Sequence, residues 1–598
     1  MNKKELVEKI NSLDALTTEE KSALIDLLKL KKYGLVWENK PEDVEERLRA
    51  ELPVLKEVKD KALLDGGDYA PNHILIEGDN LEALTALTYT HENKIDIIYI
   101  DPPYNTGKKD EFKYNDRYVD SEDGYRHSKW LSFMNKRLSI AKQLLTKNGL
   151  IFVSIDDNEI GPLRMLMDEH FDHTNNPKES NRLATLVWHL GTGTQAGHFT
   201  RQHEYVLAYC KNKDLLPNFS GGEGTIDHSA LKKISKKNPP VIYTFKAGTK
   251  FCAPNGTELF GEWGGSEKTR LVDGRMVCED GKLKYDVTLE AGFAMIGQMK
   301  TWFNGEYTID SKGQHVLEFY FNSSGVLHYV KDKSIINPPT VMGDMGSTKT
   351  GSTELSEIIE NASDKFGYPK PLGLISYLLG FSGKNSVILD FFAGSGTTLQ
   401  ATMQLNAEDG GHRKCILVTN NENNICEEVT YERNKRVING YTTPKGEEVE
   451  GLRANNLRYY QIDHVERESS LTAKRKLMAA SAELLCIKHD IYEESTTFGT
   501  LKLKPHIARY FTDGKKQMLV IYMVEAIERI VEEIQAMPED TNIMVYVFST
   551  NNYAMDADFE DVADKVTLCA LPAAIYNAYL KVLPKKGEPK QIIEEDAE

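Results

Sequence analysis

The tetrapeptide Asp101-Pro102-Pro103-Tyr104 joins an acid, two residues without amide N–H groups and an aromatic ring directly after the apolar run Ile95-Asp-Ile-Ile-Tyr-Ile100. Such a run reads as a strand, and open α/β sheets place their ligands at the carboxyl ends of strands. Two consecutive prolines stiffen the turn and remove its donors, leaving a carboxylate and backbone carbonyls as acceptors for a group that has hydrogens to share. Taken alone, the same four residues are also a rigid turn that ends a strand. A second stretch, Leu389-Asp390-Phe391-Phe392-Ala393-Gly394-Ser395-Gly396-Thr397-Thr398, runs from a strand through a glycine turn into a helix. Its glycines let the backbone approach a bound molecule closely, and the helix behind them offers free amides. No lysine follows the glycines and no Gly-Lys-Ser or Gly-Lys-Thr occurs in the chain, so an ATPase loop is excluded. Leu399 stands where a dinucleotide fingerprint needs its third glycine. Glu111-Phe-Lys113 imitates part of a nuclease set, but Asp101 is already committed to its Pro-Pro turn.

The elements that must position these residues follow from periodicity. Residues 1–70 read as an N-terminal helical segment, with a capping box at Thr17-Thr18-Glu19-Glu20 followed by Leu24, Leu27, Leu28 and Leu30. From His73 short apolar strands alternate with amphipathic helices, the texture of a parallel α/β sheet. The strands are 73–76, 95–100 and 150–155, and a helix carrying Leu131, Met134, Leu138, Ala141 and Leu145 on one face stops at Gly149. Beyond Lys211 the chain turns hairpin-like and glycine-rich, which predicts an inserted β-rich domain over 212–350. The α/β pattern resumes over 351–460 with a helix from Leu372 and strands at 387–390 and 415–419, so one sheet spans 71–211 and 351–460 around the insert. Residues 461–598 carry a βαβ pattern of their own, 518–524, 525–536 and 544–548, and end in the acidic tail Glu594-Glu595-Asp596-Ala597-Glu598.

Composition bounds what this assembly does. A chain of 598 residues with 40% hydrophobic and 27% charged residues builds several ordinary globular cores. No apolar stretch approaches the roughly 18 residues of a membrane span, and the charged N-terminus lacks a secretory core, so a cytoplasmic location without membrane contact is expected. Seven scattered cysteines with no Cys-x-x-Cys pair fit reduced thiols and no metal site. The net charge of −17 argues against a polyanion partner only if charge is evenly spread. It is not: His228 to Asn255 holds lysines and no acid, which leaves room for a basic face in the insert.

Together, Asp101-Pro102-Pro103-Tyr104 and the Phe392-x-Gly394-x-Gly396 turn resemble the methyltransferases that modify exocyclic amines of DNA bases with S-adenosyl-L-methionine. The order of catalytic motif, long insert, cofactor motif is similar to the β class of that family. Ile74-Leu-Ile-Glu-Gly-Asp-Asn-Leu-Glu-Ala-Leu84, Asp101 to Gly107, Ser154-Ile-Asp-Asp-Asn-Glu159, His203-Glu-Tyr205 and Tyr368-Pro-Lys-Pro371 resemble the modification subunit of type III restriction-modification systems. Phe391 departs from the proline usual before the glycine motif. The resemblance implies a Rossmann-like, circularly permuted α/β methyltransferase sheet with an inserted target-recognition domain and a small C-terminal α/β interaction domain.

It also implies roles. Asp101 and the Pro102 carbonyl would accept the two hydrogens of an adenine N6 amine, restoring its lone pair for attack, with Asp101 as the route for the departing proton and no metal. Pro103 stiffens the turn, and Tyr104 would stack on a base flipped out of double-stranded DNA. Aspartate rather than serine at the first position favours adenine N6 over cytosine N4. Phe392, Ala393, Gly394 and Gly396 would shape the cofactor floor and Asp390 would order the turn. Lys370 and Pro371 would start a helix over the cofactor, Asp79 and Asn80 would lie near its adenine, and Glu422 would take its ribose hydroxyls. The partners implied are a second copy of the chain and a helicase-nuclease restriction subunit. The alternatives are a solitary adenine-N6 or cytosine-N4 enzyme, and a subunit that mainly recognises DNA.

Overall fold

The computed structural model describes residues 37, 40 and 42–583, apart from 68, 108–112, 115–116, 120, 173–179, 222–223, 334–336, 468–469, 550–553 and 572. The expected capping box at Thr17, the acidic tail and Glu111 lie outside the described residues. The chain divides into a larger unit and a compact inserted unit, Pro217–Pro339.

The larger unit is built on a ten-stranded sheet. In chain order its strands are β1 (Glu51–Glu57), β2 (Asn72–Glu77), β3 (Ile95–Ile100), β4 (Leu145–Ile155), β5 (Arg182–Ala196), β6 (Phe199–Cys210), β7 (Val341–Met342), β8 (Val387–Asp390), β9 (Lys414–Thr419) and β10 (Asn456–Glu466). They lie side by side as β1-β10-β2-β9-β8-β3-β4-β6-β5-β7. Six neighbours from β10 to β4 are parallel, and β6 runs antiparallel between β4 and β5. Parallel strands covered on both faces read as apolar runs, and β3 is nearly so, with Ile95, Ile97, Ile98, Tyr99 and Ile100 buried and Asp96 its one polar residue.

The central pair decides where the site falls. Strands β3 and β8 are parallel neighbours, with Ile97 opposite Ile388 and Ile98 opposite Leu389. From β3 the chain crosses through the helix Arg126–Leu144 to β4 on one side; from β8 it crosses through Thr397–Asp409 to β9 on the other. Connections that diverge from adjacent strands open a crevice at their carboxyl ends.

Several boundaries differ from expectation. Residues 51–57 form the edge strand β1 instead of part of a helical segment, paired antiparallel with β10 from Glu51↔Glu466 to Glu57↔Tyr460. Leu52, Val54 and Leu55 bury there, and Pro53 is tolerated because the strand lies at the sheet's edge. The helix after Asp101 ends at Leu144 and β4 begins at Leu145, so Gly149 lies inside the strand. Residues 212–216 and 340–350, expected with the insert, belong to the larger unit; β7 pairs with β5 in its sheet. Strand β10 runs through the expected boundary at 460/461.

The C-terminal residues build a five-stranded sheet whose helix Ile527–Gln535 packs over Leu519, Ile521, Ile543 and Val545. Its other side shares the core of the main sheet through Leu477, Met478, Leu485, Met518 and Val520. This explains the helix Asn80–His91, in which Leu81 through His91 are all buried: Leu471–His489 and Ala573–Tyr579 both pack on it. The hydroxyl of Tyr579 donates to the Pro53 carbonyl at 2.8 Å.

The inserted unit is made of small antiparallel sheets around an aromatic core that includes Phe245, Phe251, Phe319 and Phe321. Lys232, Lys233, Lys236 and Lys237 are exposed on it and make no ion pair among the described residues. Lys246 and Lys250, from the same lysine-rich stretch, are paired with Asp286 and Glu318 at 2.8 Å and 2.6 Å. Among the described residues no helix is long and apolar enough to cross a membrane.

Candidate active site

Asp101 leaves the end of β3 and meets Lys370, whose ammonium donates to both carboxylate oxygens at 2.9 Å and 2.7 Å. The turn behind Asp101 is held from outside. Trp130, fully buried on the helix Arg126–Leu144, donates its indole N–H to the Pro103 carbonyl at 2.7 Å. Asn105 adopts a left-handed backbone with φ of 56° and donates to buried Glu159 at 2.6 Å. The Tyr104 hydroxyl donates to Glu204 at 3.1 Å. Trp130 thus engages the Pro103 carbonyl and not that of Pro102.

The glycine turn lies at the end of β8, beside Asp101. Asp390 accepts from the Phe392 amide at 3.0 Å and from the Thr398 hydroxyl at 2.5 Å, so one buried carboxyl spans the turn. Burial is what raises that carboxyl, to about 7. Gly394 and Gly396 have φ of +49° and +74°. A Cβ at Gly394 would fall 2.9 Å from the Phe366 ring, and one at Gly396 2.5 Å from the Asn434 amide. Glycine is therefore demanded by backbone hand and by the protein's own packing, not only by approach to a cofactor. A π-helical turn, Ile425–Tyr431, backs the loop: Thr430 donates to the Gly394 carbonyl at 2.6 Å, and Arg433 just beyond it donates to Thr397 at 2.7 Å.

The remaining expected residues surround the crevice. Asp79 caps the helix Asn80–His91, accepting from the Leu81 amide at 2.7 Å, and its side chain stays 38% exposed. Asn80 donates to the Phe391 carbonyl at 3.0 Å and accepts from Arg137, which ties the end of β2 to the glycine turn. Phe392 is half-buried with its ring 5.8 Å from that of Phe133. Ala393 is buried. Pro371 is the N-cap of Leu372–Leu379, as the helix start requires, but the side chain of Lys370 turns to Asp101. Glu422 lies beyond the end of β9 and is half-buried.

Two of the supporting residues, Glu204 and Glu159, stand inside the quoted runs His203-Glu-Tyr205 and Ser154 to Glu159 without having been given a role; Trp130 carried no sequence signal that sets it apart. Glu204 is 9% exposed and burial raises its carboxyl. Lys370 is 7% exposed; burial works to lower its ammonium, but Asp101 and Glu204 outweigh it and the net direction is up. Burial, then the charge of Asp101, keeps the Tyr104 hydroxyl protonated well above its ordinary range.

What these residues offer suits S-adenosyl-L-methionine. Half-buried Phe392 would offer an apolar floor, and the carboxyl groups of Asp79 and Glu422 would accept from hydroxyls and amines. Asp101 stands at the neighbouring strand end, where a second substrate would meet a methyl donor.

A family model described as DNA methylase matches residues 95–440. Among characterised proteins, the chain is 34% identical over 389 residues to the type III restriction-modification enzyme EcoPI Mod subunit of Escherichia phage P1, a match covering 58% of each chain. It is 30% identical over 397 residues to the StyLTI Mod subunit of Salmonella typhimurium, covering 58% of this chain and 52% of that one. It is also 30% identical over 389 residues to the type II methyltransferase M.KpnI of Klebsiella pneumoniae, covering 61% of this chain and 84% of the relative. The chain thus spans a little over half the length of the two Mod subunits it matches.

Proposed function

This chain belongs to the DNA methylase family, and from that premise we propose that it methylates adenine N6 in double-stranded DNA, as the modification and recognition subunit of a type III restriction-modification system. The observation that carries the reading is the juxtaposition at the crevice: Asp101 ends β3, and the Asp390 to Thr398 turn ends the parallel neighbour β8. One strand end presents acceptors for an amine, and the other cradles the donor of the group it receives.

An adenine amine is a poor nucleophile because its lone pair is delocalised into the ring. Acceptance of its two hydrogens by Asp101 and the Pro102 carbonyl draws the lone pair back onto nitrogen and fixes its direction of attack. The stiff Pro-Pro turn, braced by Trp130, fixes the backbone that carries both acceptors. Phe392, Gly394, Asp79 and Glu422 would hold S-adenosyl-L-methionine, which would supply the activated methyl group when bound. Asp101 then accepts the proton that the methylated nitrogen releases. The base would reach Asp101 by leaving the duplex, and Tyr104 would stack on it.

The inserted unit would read the target, with its exposed lysines on phosphates. The similarity to proteins named as Mod subunits of type III restriction-modification enzymes supports assembly with a restriction subunit; in this reading that subunit is the helicase-nuclease and the chain also pairs with a second copy. The test is to incubate the chain with S-adenosyl-L-methionine and host DNA, digest to nucleosides and map the modified positions. N6-methyladenine at one recurring sequence is expected. N4-methylcytosine would overturn the choice of base, and unmodified DNA would overturn the activity.

A further inference from the structure

The ammonium of Lys370 fills the position at Asp101 that an incoming amine needs. Both carboxylate oxygens already accept from it, at 2.9 Å and 2.7 Å, and the lysine is 7% exposed. A neutral amine donates more weakly than an ammonium, so it does not displace Lys370 unless the buried charge has somewhere else to go.

The structure holds one such place. Glu204 Oε2 lies 3.8 Å from the same nitrogen, and Lys370 is its only ion-pair partner among the described residues. The other nearby carboxylate, Asp156, is already paired with Arg201 at 3.3 Å. Asp390 is engaged by the Phe392 amide and the Thr398 hydroxyl. A carboxylate accepts about four hydrogen bonds, so Glu204 can take an ammonium while keeping the hydroxyl of Tyr104. The ring centroids of Tyr104 and Trp188 lie 4.9 Å and 6.0 Å from the ammonium, and Trp188 is fixed by its bond to the Gly346 carbonyl at 2.9 Å. Aromatic faces of this kind tolerate a cation during transfer.

Resting on the methyl-transfer reading, we propose that Lys370 is a positioning residue that holds Asp101 in place until a base enters, and that it then shifts to Glu204, so that one buried ion pair is exchanged for another. No covalent bond changes in the exchange: Lys370 keeps its three protons, and Asp101 is freed to accept the amine hydrogens. Glu204 thereby contributes to admission of the base without touching it.

A double-mutant cycle tests this, using an oligonucleotide duplex that carries the target sequence mapped above with 2-aminopurine beside the target adenine, where it brightens when that adenine leaves the stack, and the unmodified duplex for kinetics. In the wild-type background Glu204→Gln should lower the 2-aminopurine fluorescence gained on binding and raise KM for DNA about tenfold, leaving cofactor affinity unchanged. In a Lys370→Met background the same change should cost less than about twofold, because no cation remains to be received. Should thermal unfolding show that Lys370→Met does not fold, Lys370→Gln takes its place. An equal cost in both backgrounds, or no effect of Glu204→Gln in the wild type, overturns the exchange. A wild-type chain that methylates no DNA instead overturns the methyl-transfer reading itself, so the two failures are distinguishable.

Discussion

The indole N–H of Trp130 donates to the carbonyl of Pro103 at 2.7 Å, fastening the helix Arg126–Leu144 to the turn that presents Asp101. The acceptors of that turn are therefore set by a buried side chain 27 positions away as well as by the two prolines. With the turn braced in this way, removal of the carboxylate should change chemistry more than structure. Asp101→Ala is expected to lower single-turnover methyl transfer by at least about a hundredfold, on the order of 3 kcal/mol, with S-adenosyl-L-methionine affinity within a few-fold. Near-normal transfer would remove Asp101 from the mechanism.

Gly396 is confined on both counts, by φ of +74° and by the Asn434 amide 2.5 Å from where a Cβ would stand. Gly396→Val should lose cofactor binding and, in the same step, destabilise the fold by on the order of 3 kcal/mol. Calorimetric titration and thermal unfolding read the two effects separately; unchanged affinity would place the cofactor elsewhere.

Four exposed lysines on the inserted unit, Lys232, Lys233, Lys236 and Lys237, make no ion pair among the described residues. Their replacement by glutamine should weaken binding to all DNA sequences alike and reduce the slope of log affinity against log salt by up to about four units, one per lost phosphate contact. An unaltered slope would make the cluster a solvated loop.

Truncation at Ser470 tests how far the C-terminal residues stand apart. Leu477, Met478, Leu484 and Leu485 of Leu471–His489 are buried within the core of the main sheet. At about 2 kcal/mol for each side chain, their loss approaches the whole stability of an ordinary domain. The truncated chain should fail to fold, so partner docking is better probed by substitutions on the exposed C-terminal surface. A soluble, cooperatively melting product would contradict this.

His73 is fully buried between the Cys415 amide, from which it accepts at 3.0 Å, and Asn455, at 2.9 Å. Burial lowers its pKa from 6.5 to about 4, so the folded chain keeps it neutral while the unfolded chain protonates it. Its contribution is complete above pH 6.5 and is lost as pH falls toward 4, amounting to about 3 kcal/mol. Urea midpoints should drop across that window, and His73→Gln should flatten the drop; an equally steep profile in the variant would acquit His73.

Much of the centre was legible because it depends on short-range chemistry. The apolar runs 95–100 and 387–390 carry the strand signal of fully buried parallel strands, and their carboxyl ends carry Asp101 and the glycine turn. The C-terminal strands and the helix Leu372–Leu379 were visible through the same periodicity. Strand β1 was not, because seven residues with a proline acquire strand identity only from pairing with β10, some 400 positions later. Nor was the burial of Asn80–His91 on every side, which follows from helices supplied at the far end of the chain.

The sequence by itself determined the kind of groups at the centre: an acid in a donor-free turn and a glycine loop ahead of a helix. Only the tertiary structure decided that β3 and β8 lie side by side and that Lys370 bonds Asp101 with Glu204 within 3.8 Å. Local pattern specifies which backbone a segment adopts, since those preferences act over a few residues. The pairing of distant strands depends on the summed burial of the whole sheet, and the balance of buried charges depends on which side chains that pairing brings together.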